Sequence, residues 1–330
     1  MRASPMGVRA IAIAGLVGMT AAPGNAEDFG ALRSEGQVAF TEGPAWHEAT
    51  GNVYFSDIEN NRIMRLDPSG KIHIFRTPSG RANGLAFDAR GRLVACEGGN
   101  EGGNRRLTRT EADGTVTVLT DRYENKRYNS PNDLAIDAKG RIFFTDPRYG
   151  DRSDIEQINI DGRPIEGVYR IDPDGRVHRV ILHDVDRPNG IGLSPDGRRL
   201  YVADNVNSGP NEGVGGNRKL WCFELTPGGE VVEKSRRLLF DWGTERGPDG
   251  LTVAPNGDLY VAAGFNFPNP PAETAEKFRA GIYVLSPETG ELKRFYPVPA
   301  DMITNCAFGG ADGKTLYITA GHMLWSLRVE

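Results

Sequence analysis

Six oxygen-bearing residues, Glu42, Asn83, Asn132, Asn189, Asp249 and Asn305, each open a copy of the same short pattern. The copies read EGPAWHEATGNVYFSD, NGLAFDARGRLVACE, NDLAIDAKGRIFFTD, NGIGLSPDGRRLYVAD, DGLTVAPNGDLYVAA and NCAFGGADGKTLYIT. In five of them the leading residue stands eight positions before a turn glycine, and Glu42 stands nine before Gly51. A lone Asn-Gly or Asp-Gly pair is ordinary turn chemistry, because Asn and Asp tolerate left-handed backbone. Six in one register call for more. All six side chains offer oxygen, and Glu42 and Asp249 together carry −2, which matches a divalent cation. Two carboxylates brought together without one would repel and resist ionisation. Hard oxygen donors with no His or Cys among them select Ca²⁺ or Mg²⁺ over Cu²⁺ or structural Zn²⁺. The expectation is one cation on Glu42, Asn132, Asn189 and Asp249: Ca²⁺ first, with Mg²⁺, Mn²⁺ and Zn²⁺ as alternatives. Such a centre suits metal-assisted acyl transfer. Asp249 would activate a water or attack directly, with Glu42 beside it, and Asn83, Asn132 and Asn305 would touch the substrate.

Residues so far apart in sequence share one centre only if the fold gathers them. The pattern starts are spaced by 41, 49, 57, 60 and 56 residues, which fits four-stranded propeller blades with loops of varied length. Most units continue into a second hairpin, with DPSG, ADG, DPDG and PETG as turns. The fold expected is all-β: a six-bladed propeller of antiparallel four-stranded blades. A parallel α/β fold fails for want of amphipathic helical stretches. The sixth unit stops at Glu330 without a full second hairpin. Since an open ring would expose strand edges, residues Gln37 to Thr41 are expected to complete it. With strands A to D counted outward from the axis, each leading residue starts strand A, so all six ring one end of the channel. The loops joining B to C (Pro147–Gly167, Asn205–Lys219 and Gly264–Ala280) should frame a pocket there. The acids closing strand B, Asp57, Glu97, Asp146 and Asp204, return to the same end and are expected to hydrogen-bond locally rather than bind the cation.

Composition narrows the function class. Residues 1–26 carry Arg2 and Arg9, an apolar run from Ala10 to Ala22 and a small-residue end at Ala26. This is the design of a cleaved signal peptide, and it predicts a periplasmic or secreted protein whose propeller spans 27–330. The 39 Lys and Arg of the chain, less Arg2 and Arg9, leave 37 against 44 acids, a formal −7. That balance excludes a nucleic-acid partner and leaves a small-molecule substrate. After processing, no stretch is left that could hold a membrane. Cys96, Cys222 and Cys306 fall in apolar stretches of different units and are expected as free buried thiols. Trp46 and Trp242 are expected in packing, and the five His residues form no matched set.

Five segments in order, TEGPAW, GRANGLAFDARGRLVACEGGN, NSPNDLAIDAKGRIFFTDPRYG, RPNGIGLSPDGRRLYVAD and GPDGLTVAPNGDLYVA, resemble the gluconolactonase, senescence-marker-protein and luciferin-regenerating-enzyme family. More remotely they are similar to diisopropyl fluorophosphatase. The resemblance implies a six-bladed propeller and lactone hydrolysis, or in some members phosphoester hydrolysis. It also implies a Ca²⁺-type metal held at positions matching Glu42, Asn132, Asn189 and Asp249. The animal sugar lactonases carry an arginine two residues before the position of Asn132, where this chain has Ser130. Arg127 or Arg148 would then have to grip the sugar. Two other readings of the ring are a sugar-acid binding propeller without turnover and a protein-interaction scaffold.

Overall fold

The computed structural model describes residues 32–206 and 216–329. The signal-peptide reading of residues 1–26 lies outside them, as does most of the loop after Asn205. The described chain is all strand and turn, with six four-stranded antiparallel sheets and one small hairpin, Arg122–Tyr123 with Lys126–Arg127. Five sheets are built from consecutive strands. The sixth pairs Ile303–Gly309, Thr315–Ala320 and Met323–Arg328 with Arg33–Gln37, a strand from the other end of the chain. The closing strand therefore lies four residues earlier than expected. Residues 39 and 40 are unavailable for it, because their N–H groups turn in to Asp57 Oδ1. Thr41 already begins the first inner strand.

The inner strands are Thr41–His47, Ala82–Phe87, Leu134–Ile136, Pro188–Leu193, Leu251–Val253 and Ile303–Gly309. Each packs on the next, and the first also packs on the last, so the ring is closed. The apolar core is divided into six clusters, one at each joint between blades. Alternation along strand B explains the division. Phe143 packs toward blade four and Phe144 toward blade two, while Leu200 and Val202 face blade three and Tyr201 and Ala203 face blade five. A strand buried on both faces reads as a continuous apolar run, as in IFFTD and LYVAA. Cys96, Cys222 and Cys306 are free and buried, Trp46 stacks on Tyr317, and Trp242 lies in the joint of blades four and five, as expected.

Candidate active site on the propeller axis

A β-bulge sits at the head of every inner strand. In blade one the register shifts between Glu42 and Ala45; in blade two it shifts between Ala82 and Leu85; in blade four, between Pro188 and Ile191; in blade six, between Ile303 and Asn305. In blade three Thr145 faces both Asn132 and Asp133, accepting from Asn132 N and donating to Asp133 O; in blade five Ala262 treats Asp249 and Gly250 the same way. A bulge re-aims the side chain it carries, and it does so for the leading residue of blades one to five in one register. In blade six Thr304 takes that place, its O accepting from Gly250 N as Asn132 O does from Gly84 N. Asn305 falls one position later, level with Asp133, because the stretch leading to Gly313 is one residue longer than in blades two to five. The leading residues are all buried except Asn83, which is partly exposed.

The glycine after the leading residue serves these joints, not turns. Gly84, Gly190 and Gly250 have ordinary φ, but a Cβ on them would meet Asn132 O at 2.6 Å, Asp249 O at 2.3 Å and the Asn305 side chain at 2.0 Å. Each joint is pinned at this level by a hydrogen bond to the next blade. Ser56 Oγ donates to Asn83 O, Gly84 N to Asn132 O, and Thr145 Oγ1 to Asn189 O. Gly190 N donates to Asp249 O, Gly250 N to Thr304 O, and Thr304 Oγ1 to Thr41 O. The backbone that carries the ring is thus cross-tied all round.

Within the ring, Gly43 N donates to Glu42 Oε2 at 2.9 Å. Burial first, and the Asp249 carboxylate next, push the Glu42 carboxyl well above its usual range. Burial also raises Asp249, against the pull of Arg246 and Asn189. The two acids are therefore neighbours, buried and mutually repelling. Asn189 Nδ2 donates to Tyr149 OH at 2.8 Å, and Tyr149 OH donates to Asn205 O at 3.1 Å. That relay fixes which end of the Asn189 amide is oxygen. Asn83 buries its Oδ1 without a hydrogen-bond partner. Asn305 is engaged in the floor: its Nδ2 donates to Asp133 Oδ2 at 3.3 Å and its Oδ1 accepts from Cys306 N. Beyond that floor the channel continues as a cavity of about 330 Å³ lined by the inner strands.

Paired buried carboxylates and an orphaned amide oxygen fit a hard cation. Among the described residues no group of three or more His, Cys, Asp and Glu side chains is arranged to hold a metal. The candidate set instead joins two carboxylates to amides.

Neither arginine expected to grip substrate is free to do so. Arg127 is exposed on the small hairpin and paired with Glu156. Arg148 is buried, with its guanidinium spent on Gly99 O, Asn129 O, Asp151 O and Asp154. The arginine that touches the ring is Arg246, whose Nη2 lies 2.8 Å from Asp249 Oδ2. Sequence reasoning missed it, together with Tyr149, Glu273 and Asp133. Only Asp133 left a usable signal: it stands where four other units have glycine. Its carboxyl, pushed up to about 7 by burial, spans the axis by accepting from Leu134 N, Asn305 Nδ2 and Ile191 N.

The acids closing strand B do hydrogen-bond locally. Asp57, Asp146 and Asp204 each accept two N–H groups from the residues just before the leading residue of their blade. Glu97 instead gathers Arg76, Asn104, Arg106 and Thr108.

Residues 40–322 match the SMP-30/Gluconolactonase/LRE-like region. The chain belongs to that family. It is 30% identical over 316 residues to a gluconolactonase of Zymomonas mobilis, covering 89% of this chain and 79% of that protein. It is 26% identical to Xenopus laevis regucalcin, covering 84% and 82%. Among solved structures, a Xanthomonas campestris gluconolactonase superposes with a TM-score of 0.72 at 31% identity, over 91% of this chain and 89% of that one. This family member thus carries the expected propeller with blade arrangement and closure intact.

Proposed function

We propose that this protein is a lactonase that opens a sugar lactone or related ester at the ring on the propeller axis. The observation that carries the reading is the buried pair Glu42 and Asp249, flanked by amides, in a chain whose relatives include gluconolactonases. Glu42, Asn132, Asn189 and Asp249 would hold a divalent cation, Ca²⁺ by donor type; when bound it supplies polarisation of the ester carbonyl and charge for the developing oxyanion. Asp249 takes the proton of the attacking water, or attacks the carbonyl itself. Its Oδ2 is already held by Arg246, so the carboxylate is oriented before substrate arrives. Tyr149 keeps the Asn189 amide from flipping. Asn83 and Asn132, which head the neighbouring inner strands, would take the sugar hydroxyls, and the loops 147–166 and 264–280 would border them. The charged, apolar and small-residue order of residues 1–26 supports export.

The experiment is a panel of aldonolactones, aryl esters and organophosphates assayed after EDTA dialysis and after return of Ca²⁺, Mg²⁺, Mn²⁺ or Zn²⁺. Aldonolactone turnover that falls to background with EDTA and returns with a cation is expected. Turnover untouched by chelation removes the cation from the reaction, and sugar-acid binding without any turnover favours the binding propeller.

A further inference from the structure

Blade five departs from blades one, three and four at the segment leading into Asp249. In blades one, three and four the acid ending strand B accepts N–H groups from the residues three and two before the leading residue. In blade five that place is Ala263, fully buried, so the sheet offers no carboxylate there. The residue three before Asp249 is Arg246, and here the side chain makes the contact. Nη2 lies 2.8 Å from Asp249 Oδ2 and Nη1 lies 3.3 Å from Glu273 Oε1. All three residues are buried. Glu273 comes from the loop 264–280, and its other oxygen accepts from Asn269 Nδ2 at 3.1 Å. The guanidinium carbon sits 5.5 Å from the centre of the Phe265 ring, on the same loop. Glu245, next in sequence, accepts Lys277 N and Phe278 N at 2.7 Å each. The missing sheet acid is thus replaced by a loop acid, with an arginine between it and Asp249.

We propose that Arg246, itself held by Glu273, is a positioning residue for Asp249. A carboxylate can rotate about its last bond, and small misplacement of a reacting group is costly to rate. Arg246 fastens one oxygen of Asp249 and leaves the other for the ring and the attacking water. It also sets a positive charge beside the cation's ligands, which weakens cation binding while it fixes geometry. The inference rests on the ring being the cation and reaction centre.

The test compares Arg246→Met, Arg246→Lys and the double variant Arg246→Met/Glu273→Met. Removing one partner of a buried pair strands the other charge, whereas removing both does not, so the double variant guards against misfolding. Ca²⁺ alone is titrated calorimetrically into each full-length protein, and hydrolysis of a gluconolactone is followed alongside thermal unfolding. Arg246→Met is expected to lose about 100-fold in kcat with KM held within about threefold. The double variant is expected to unfold like the parent and share that loss, and the lysine variant to recover about tenfold of kcat. Ca²⁺ should bind more tightly once the arginine is gone. A methionine variant within about threefold of parental kcat, a lysine variant no better than methionine, or weaker Ca²⁺ binding in the folded double variant each overturns the proposal. A parent that binds Ca²⁺ but leaves lactones intact overturns the proposed reaction alone; tighter Ca²⁺ binding without Arg246 then supports its place beside the ligands, and unchanged binding refutes it. A parent that binds no divalent cation overturns both.

Discussion

Asp249 meets two opposing influences, burial that disfavours its charge and Arg246 that favours it. An asparagine there keeps an oxygen for the cation but cannot take a proton. Asp249→Asn is therefore expected to lose at least about 100-fold in kcat, by the scale of general-base catalysis, while still binding Ca²⁺ and melting near the parent temperature. Near-parental kcat in that variant would exclude Asp249 from the chemistry. A carboxyl away from the ring contributes to stability against pH. Asp146 is buried between Asn129 N and Ser130 N, and burial pushes it up to about 7. Its folded value exceeds the unfolded one of about 3.9, so the folded state binds the extra proton. Its contribution to stability is full below about pH 4 and is lost as pH rises through about 7, by about 1.4 kcal/mol for each unit of separation. Urea unfolding of parent and Asp146→Asn at pH 5 and pH 8 reads this directly: the parent should weaken toward pH 8 more than the variant. Equal slopes would show that Asp146 titrates alike in both states.

The inner strand is the element that matters most, and its head is defined by a bulge and a following glycine. Gly190 shows why the Asn-Gly pair is not interchangeable. Its φ is ordinary, so alanine meets no backbone objection, but the new Cβ would lie 2.3 Å from Asp249 O. Gly190→Ala is expected to destabilise by about 1–3 kcal/mol through overpacking and to displace Asp249, lowering activity beyond the loss of folded protein. Thermal unfolding with active-site titration separates the two effects; a variant with parental melting temperature would refute the close approach. The repeat of polar residue, glycine and alternating strand was readable because strands impose period two on what they bury. The bulge was not, since its signature is a shift in pairing between strands. The loop partners Glu273 and Tyr149 were not readable either, since loops carry no period.

Closure is a property of the whole ring. Arg33–Gln37 completes the sixth blade by pairing with Met323–Arg328, and Thr304 Oγ1 ties that blade to Thr41 O. Deleting the residues before Val38 leaves the strand Met323–Arg328 as an open edge, the kind that recruits other chains. Such a truncation is expected to aggregate and to unfold at lower temperature, as light scattering and calorimetry would show; a monomeric truncation of parental stability would refute the role of the strand. The amino-acid sequence by itself determined the number of blades, their strand pattern, the need for an N-terminal closing strand and five of the six residues at the heads of the inner strands, because repetition and alternation are written along the chain. In blade six the longer stretch before Gly313 hid that Thr304, not Asn305, holds the place. Only the tertiary structure decided which of those residues face one another, that Asp133 and Asn305 close the floor, that Arg127 and Arg148, expected to grip the sugar, are engaged elsewhere, and that Arg246 lies beside Asp249. Those outcomes depend on distances between side chains from different blades and loops, and such distances exist only once six separate joints have packed and fixed the axis.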